Sequence, residues 1–205
     1  MMTRLTTDEP MPTSTTGLTM KTHHLCKISL SDSELKYLFE QFKNQNGDGL
    51  IGYNLPEEEV FKFRRSKVLC LNENNFSDLH EKIKNFSLEV AEDIFDEPDL
   101  FNLTLQITEY DESYEGFYDW HKDAFPDFGN DPLDKRVLSF SVLLNSSSEY
   151  EGGEFEFRDI DIDNFENALD MIMFYSDLEH RVTPVTKGTR YSLVGWLSGV
   201  RRNNA

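Results

Sequence analysis

The chain has 205 residues, a formal net charge of −18, 38% apolar residues and 13% aromatic ones, with sixteen Phe. That length suits one domain, and that apolar content is enough for a real core, so global disorder is excluded. The charge would repel a phosphate backbone and no segment has the length of a membrane-spanning helix, so neither nucleic acid nor membrane is expected as a partner.

Residues 1–25 are rich in Thr, Ser and Pro and lack the apolar core of a secretion signal, so they read as a flexible tail ending in a solvated His23-His24 pair. The two cysteines, Cys26 and Cys70, are too few for a disulfide framework and suit a reducing cytoplasm. A helix is expected from Ser31, where Ser31 and Glu34 form a capping box ahead of Leu35, Leu38, Phe39 and Phe42. It should stop in Asn44-Gln45-Asn46-Gly47-Asp48-Gly49. This stretch imitates a calcium loop, but Leu55 stands where the bidentate Glu is needed, so it reads as a turn. Pro56 opens an acidic turn, Glu57-Glu58-Glu59, and a strand is expected around Lys67–Leu71. A second helix follows from Phe76, Leu79, Ile83, Phe86, Val90 and Ile94, with Asn75 or Ser77 as cap and His80 off the stripe on the surface. From Leu100 the period becomes two. Leu103, Leu105 and Ile107 alternate with Thr104, Gln106 and Thr108, and Tyr110 shares the polar face. Val137–Leu144, Glu154–Phe157, Ala168–Tyr175 and Tyr191–Leu197 read as further strands, and the turn-rich Ala124–Lys135 as a loop. The expected class is α+β, mainly β: a sandwich or barrel with two N-terminal helices on one sheet's outer face. Residues 26–99 would form a supporting region and 100–200 the core, with 26–200 one folded unit.

Three residues point to chemistry. His121 and Asp123 sit in Tyr118-Asp119-Trp120-His121-Lys122-Asp123, and His180 in Leu178-Glu179-His180-Arg181-Val182. Two imidazoles and one carboxylate are the ligand set of a non-haem Fe(II) site with open positions. On a strand, residues i and i+2 share a face, so His121 and Asp123 could grip one ion while His180 comes from another strand. Zinc accepts the same donors. Beyond His180, Arg190 and Ser192 are again i and i+2, and a guanidinium with a hydroxyl makes a seat for a carboxylate. A zinc hydrolase has no need of such a seat, which favours iron. Trp120 reads as core, Lys187 as solvent-facing, and Arg181 as paired with a nearby acid. The acidic surface could steer a basic protein partner, although solubility explains it as well.

Together, Gln106–Asp111, the H-x-D block, Tyr150-Glu151-Gly152-Gly153-Glu154-Phe155 and the run His180–Leu193 resemble the 2-oxoglutarate- and Fe(II)-dependent oxygenase superfamily, in its prolyl-4-hydroxylase-like branch. The resemblance extends from about Arg64 to Gly199. It implies a double-stranded β-helix, or jelly-roll, with His121, Asp123 and His180 as metal ligands. Arg190, Ser192 and Tyr110 would hold the co-substrate, and the loop after the H-x-D block would lie over the site. Fe(II), 2-oxoglutarate and O2 would be the cofactors, with ascorbate a candidate reductant. The implied activity is hydroxylation of a prolyl or similar residue in a protein or peptide, with release of succinate and CO2. A free amino acid or small metabolite is the alternative substrate, and a non-catalytic metal-binding jelly-roll the alternative of another class. Asp123 itself implies hydroxylation, since the family's halogenases lose this carboxylate. One departure stands out: the relatives' second tyrosine is replaced by an aliphatic residue near Leu143.

Overall fold

The alternation along Leu100–Asp111 organises the architecture. In the computed structural model, which describes residues 21–45, 47–48, 57–97, 99–124 and 135–201, the apolar face of this strand packs under helices and its polar face lines a cavity. Twelve strands are described. They are β1 (His23–Lys27), β2 (Gly47–Asp48), β3 (Arg64–Arg65), β4 (Lys67–Leu71), β5 (Leu100–Asp111), β6 (Phe117–His121), β7 (Arg136–Leu143), β8 (Tyr150–Gly152), β9 (Phe155–Phe157), β10 (Asp170–Tyr175), β11 (His180–Val182) and β12 (Val185–Gly199). The large sheet runs β1-β10-β7-β12-β5-β4-β2 with β8 also on β12, and the small one runs β3-β6-β11-β9. Every pairing is antiparallel. Two sheets of this kind, mainly β with few helices, are what a sandwich needs to bury both inner faces.

Helices α1 (Asp32–Gln45), α2 (Glu57–Phe63) and α3 (Glu73–Phe95) come from the first half of the chain. Leu38 and Phe42 of α1 and Leu79, Ile83, Ala91 and Phe95 of α3 share one buried cluster with Leu103, Leu105, Ile107, Leu193 and Leu197 of the large sheet. Burying each such large side chain contributes roughly 1.5–3 kcal/mol. Gly195 sits where a Cβ would come 2.1 Å from Phe140 Cζ, so a glycine there makes room for the Phe140 ring against β12.

Four details differ from the sequence reading. First, the tail does not reach residue 25: His23–Lys27 pair along β10, because that strand's edge offers free backbone groups. Second, the acidic run after Pro56 is helical as α2, its last turn carrying Lys62 paired with Glu59 at 2.6 Å. Third, α3 begins at Glu73, and a non-helical Phe76 (φ −133°, ψ 28°) separates its first turn from the amphipathic part. Fourth, His80 is buried, not exposed: Nε2 meets the Leu103 carbonyl at 3.2 Å, a polar tie between α3 and β5 that a hydrophobic stripe does not reveal. The calcium-loop imitation and the loop over 125–134 lie mostly outside the described residues.

The expected capping box is present. Glu34 Oε2 accepts from the Ser31 amide at 2.6 Å, and Ser31 Oγ accepts from the Glu34 amide at 3.3 Å. Lys82 of α3 also donates to Glu34 at 2.9 Å, tying the two helices. The Lys82 and Ser31 donors hold the Glu34 carboxyl down at about 2. A depressed carboxyl adds stability above its ordinary value of 4.5, and that gain is lost as pH falls through the folded value. Glu34→Gln should therefore lower the thermal midpoint at neutral pH, with the gap to the parent closing between pH 4.5 and about 2; a pH-independent gap in melts would assign the effect to packing instead.

Candidate functional site

His121 ends β6 and His180 begins β11, and the two face each other directly in register. Asp123 lies past the end of β6, not on it. Its amide and that of Ala124 both donate to the Ser176 carbonyl, at 2.9 and 2.8 Å. The H-x-D pair therefore converges through an anchored bend and not through strand alternation alone. The Nε2 atoms of His121 and His180 lie 3.8 and 3.5 Å from the two Asp123 oxygens, and one donor atom from each residue falls within 4.8 Å of the others.

The ring orientation follows from backbone contacts. His121 Nδ1 is 2.7 Å from the Asp119 carbonyl and His180 Nδ1 is 2.9 Å from the Leu178 carbonyl. A carbonyl only accepts, so each Nδ1 carries the hydrogen, and in the neutral ring each Nε2 presents a lone pair toward Asp123. Burial, reinforced by the neighbouring His180, pushes the His121 imidazole down to about 3, so it stays neutral at physiological pH. Burial alone would raise the Asp123 carboxyl. His180 and His121, with Arg136 and the Ser139 hydroxyl, outweigh it and hold the group below its ordinary value.

Aromatic rings wall this cluster. Tyr118 stacks on His121 with centroids 3.4 Å apart, and Phe174 and Phe155 lie 4.7 and 5.4 Å from the His180 ring. Arg64 is buried, donates from Nε to Ser66 Oγ at 2.7 Å, and stands 4.6 Å from the Tyr118 centroid. The cavity is narrow, with a volume of about 40 Å3. Besides the triad, Gln106, Thr108 and Tyr110 of β5 line it, as do Arg190, Ser192, Val194 and Trp196 of β12.

Arg190 is the unusual member. It is only 1% exposed, and Nη1 donates to Ser192 Oγ at 3.1 Å. Its Nε and Nη2 have no hydrogen-bond partner, and among the described residues no carboxylate pairs with it. A buried charge left so is costly unless an anion completes it. The Tyr110 centroid is 5.7 Å away, and burial raises that phenol above its ordinary range, so it stays protonated and able to donate. Leu143 is buried.

Alternation along β5 and β12 brings Tyr110, Arg190 and Ser192 together as expected. Lys187 is exposed on Glu151 and Arg181 pairs with Glu156, both at 2.7 Å. Trp120 is not core. It is half-buried, with the Arg158 and Arg181 guanidinium carbons each 4.6 Å from its ring. Arg64, Tyr118 and Trp196 went unread as cavity residues. Arg64 follows a helix on a two-residue strand too short to show a period, whereas Trp196 continues the Arg190–Ser192 alternation and could have been found by extending it.

Residues 105–198 match the family described as the 2OG-Fe(II) oxygenase superfamily. Over that segment, just under half of the chain, the sequence is similar to this superfamily. A PKHD-type hydroxylase of Gloeothece citriformis is 38% identical over 68 residues, covering 32% of this chain and 31% of the relative. The chain thus aligns with about a third of the length of the curated relatives it matches. Two solved oxygenase folds align over nearly the whole described structure. A viral collagen prolyl hydroxylase from Paramecium Bursaria Chlorella virus-1 superposes with TM-score 0.67 at 22% identity, covering 88% of this chain and 97% of that one. A Pseudomonas putida prolyl-4-hydroxylase gives 0.63 at 19% identity, covering 89% and 94%. At those identities the likeness is one of fold. The description of the matched family names Fe(II) and 2-oxoglutarate, and the buried His-Asp-His cluster is consistent with a metal ion.

Gly153 of the Tyr150–Phe155 block packs closely against the Arg190 side chain. Gly153 has φ +66°, and a Cβ there would lie 2.9 Å from Val185 Cγ2 and 3.0 Å from Arg190 Cδ. Gly153→Ala should cost about 1–3 kcal/mol through strain and crowding. Urea unfolding checks this, and a loss below a few tenths would mean that the loop relaxes freely.

Proposed function

We propose that this protein is an Fe(II)- and 2-oxoglutarate-dependent hydroxylase of a prolyl or similar residue in a protein or peptide. One observation carries the reading: a buried guanidinium with unpaired donors faces the cavity that also holds two imidazole lone pairs and a carboxylate. That combination asks for a cation and an organic anion at once. A zinc hydrolase explains the first and leaves the second without a purpose.

In this reading His121, Asp123 and His180 hold the ion through Nε2, a carboxylate oxygen and Nε2. The Asp119 and Leu178 carbonyls keep both rings in the ligating tautomer. Arg190, Ser192 and the Tyr110 hydroxyl bind the far carboxylate of 2-oxoglutarate. Tyr118, Phe155 and Phe174 exclude water and fix the ring planes. When bound, iron and 2-oxoglutarate supply O2 activation, with succinate and CO2 as co-products. The residues 26–200 act as one folded unit, supported by β1 pairing with β10 and β4 with β5. The free thiols Cys26 and Cys70 support a reducing compartment, and no helix among the described residues is long and apolar enough to cross a membrane. The charge of −18 supports a basic protein substrate.

Mixing protein, Fe(II) and 2-oxoglutarate without oxygen should produce a visible metal-to-ligand charge-transfer band; a mere binding module shows none. Asp123→Ala should abolish succinate release, and near-normal turnover in that variant would refute the ligand assignment. Arg190→Met should weaken 2-oxoglutarate binding by about two orders of magnitude in a titration of the same band, in line with the 2–5 kcal/mol lost when a buried charge loses its partner. An unchanged titration would remove Arg190 from the site.

A further inference from the structure

Tyr118 and His121 share a face that a regular strand would deny them. Residues three apart on a strand point to opposite sides, yet these two rings stack with centroids 3.4 Å apart and both line the cavity. The pairing with β11 explains it. His121 stands opposite His180 and Tyr118 opposite Val182, so Asp119 and Trp120 together oppose Arg181 alone. Two residues against one is a β-bulge, a device that re-aims side chains. The Trp120 amide donates to the Asp119 carboxylate at 2.8 Å, and the Asp119 carbonyl accepts from His121 Nδ1 at 2.7 Å. The contact that chooses the His121 tautomer is thus made by a residue of the bulge.

A bulge places a residue outside the ladder, so something else must hold it. The Trp120 ring lies against two guanidinium groups, Arg158 and Arg181, each with its central carbon 4.6 Å from the ring centroid. Both are tied down. Arg158 donates to the two Glu179 oxygens at 2.6 and 2.8 Å, and Arg181 donates to Glu156 at 2.7 Å. Arg181 and Glu179 flank His180, Glu156 lies on β9 in register with Arg181, and Arg158 follows β9 directly. The indole is therefore gripped from the strand that carries the second imidazole and from the strand beyond it. Exposed ion pairs of this kind add little stability singly, but planar guanidinium groups stacked on a ring fix its position.

We infer that Trp120 is a positioning residue: its ring, pinned by the two ion-paired arginines, holds the Asp119–Trp120 bulge, and the bulge turns His121 into the cavity with its Nε2 lone pair presented. The inference rests on the reading of His121 as a metal ligand under Proposed function, and it goes beyond that reading in assigning what orients the ligand.

The test uses the full metal-free chain with 15N-labelled histidine, in which two-bond proton–nitrogen correlations report the tautomer of each ring. The His121 signals are assigned by their loss in His121→Gln. Zn(II) affinity is then measured by competition with a chelator. The parent is expected to show His121 with its hydrogen on Nδ1 and to bind one Zn(II). In Trp120→Leu, His121 should become a mixture of tautomers while His180 keeps its own, and Zn(II) binding should weaken about tenfold, since groups that orient a ligand are worth about 10–100-fold in affinity. Trp120→Phe, which keeps a ring for the guanidinium groups, should restore both readouts. A lowered melting temperature in Trp120→Leu with the His121 pattern and Zn(II) affinity unchanged would make the ring merely structural and overturn the inference. Equal disturbance of His121 and His180 would overturn it too, as general loosening. If Trp120→Leu does not fold, Arg158→Gln combined with Arg181→Gln is read by the same two signals: a His121 mixture with weaker Zn(II) binding supports the inference, and unchanged values overturn it. A parent that binds no Zn(II) would overturn the ligand reading and the inference together, whereas binding that every substitution leaves intact sinks the inference alone.

Discussion

Everything at the site depends on two hydrogen bonds that involve no functional atom. Each imidazole commits Nδ1 to the carbonyl two residues before it, Asp119 for His121 and Leu178 for His180. Those contacts choose the tautomer, and the tautomer decides that both lone pairs converge on Asp123. The partners are backbone groups, so the preference is built into chain geometry and not into a further side chain. The Ser176 carbonyl does the same for Asp123 by capturing two consecutive amides beyond β6. Burial keeps the His121 imidazole neutral and the neighbouring groups hold the Asp123 carboxyl below its ordinary value, so the cluster presents its donor atoms together.

Much of this was legible in the amino-acid order. Period-two alternation put Leu103, Leu105 and Ile107 under the helices and Tyr110 in the cavity. The same rule, applied at Arg190 and Ser192, placed both in that cavity. The mainly β character also follows from short alternating runs. Alternation failed where the strand ended: Asp123 converges on His121 through a bend that no periodicity encodes. Helical periodicity failed at His80, whose burial depends on a carbonyl of β5 far away in the chain. Arg64 reaches the cavity through a two-residue strand paired to β6, a contact created by topology. Trp196 was within reach of the same alternation that found Arg190.

The two faces of the large sheet divide the work. The helix-facing side holds most of the aliphatic cluster and supplies stability. The other side carries the polar and charged groups, satisfied only in part, between the two sheets. Arg190 and Trp196 both break the rule that buried polar atoms are paired, and such exceptions concentrate where a ligand is to be met. The stability for holding them unpaired comes from the opposite face of the same strands.

The strand β12 spans Val185–Gly199 and is bonded to β5 on one side and to β7 and β8 on the other. Elements hemmed in this way open only in the largest unfolding events, unlike loops and termini. Arg190 and Trp196 therefore belong to one cooperative block: neither end of the pocket can breathe independently, and guest molecules must come and go through the rim while the floor remains rigid.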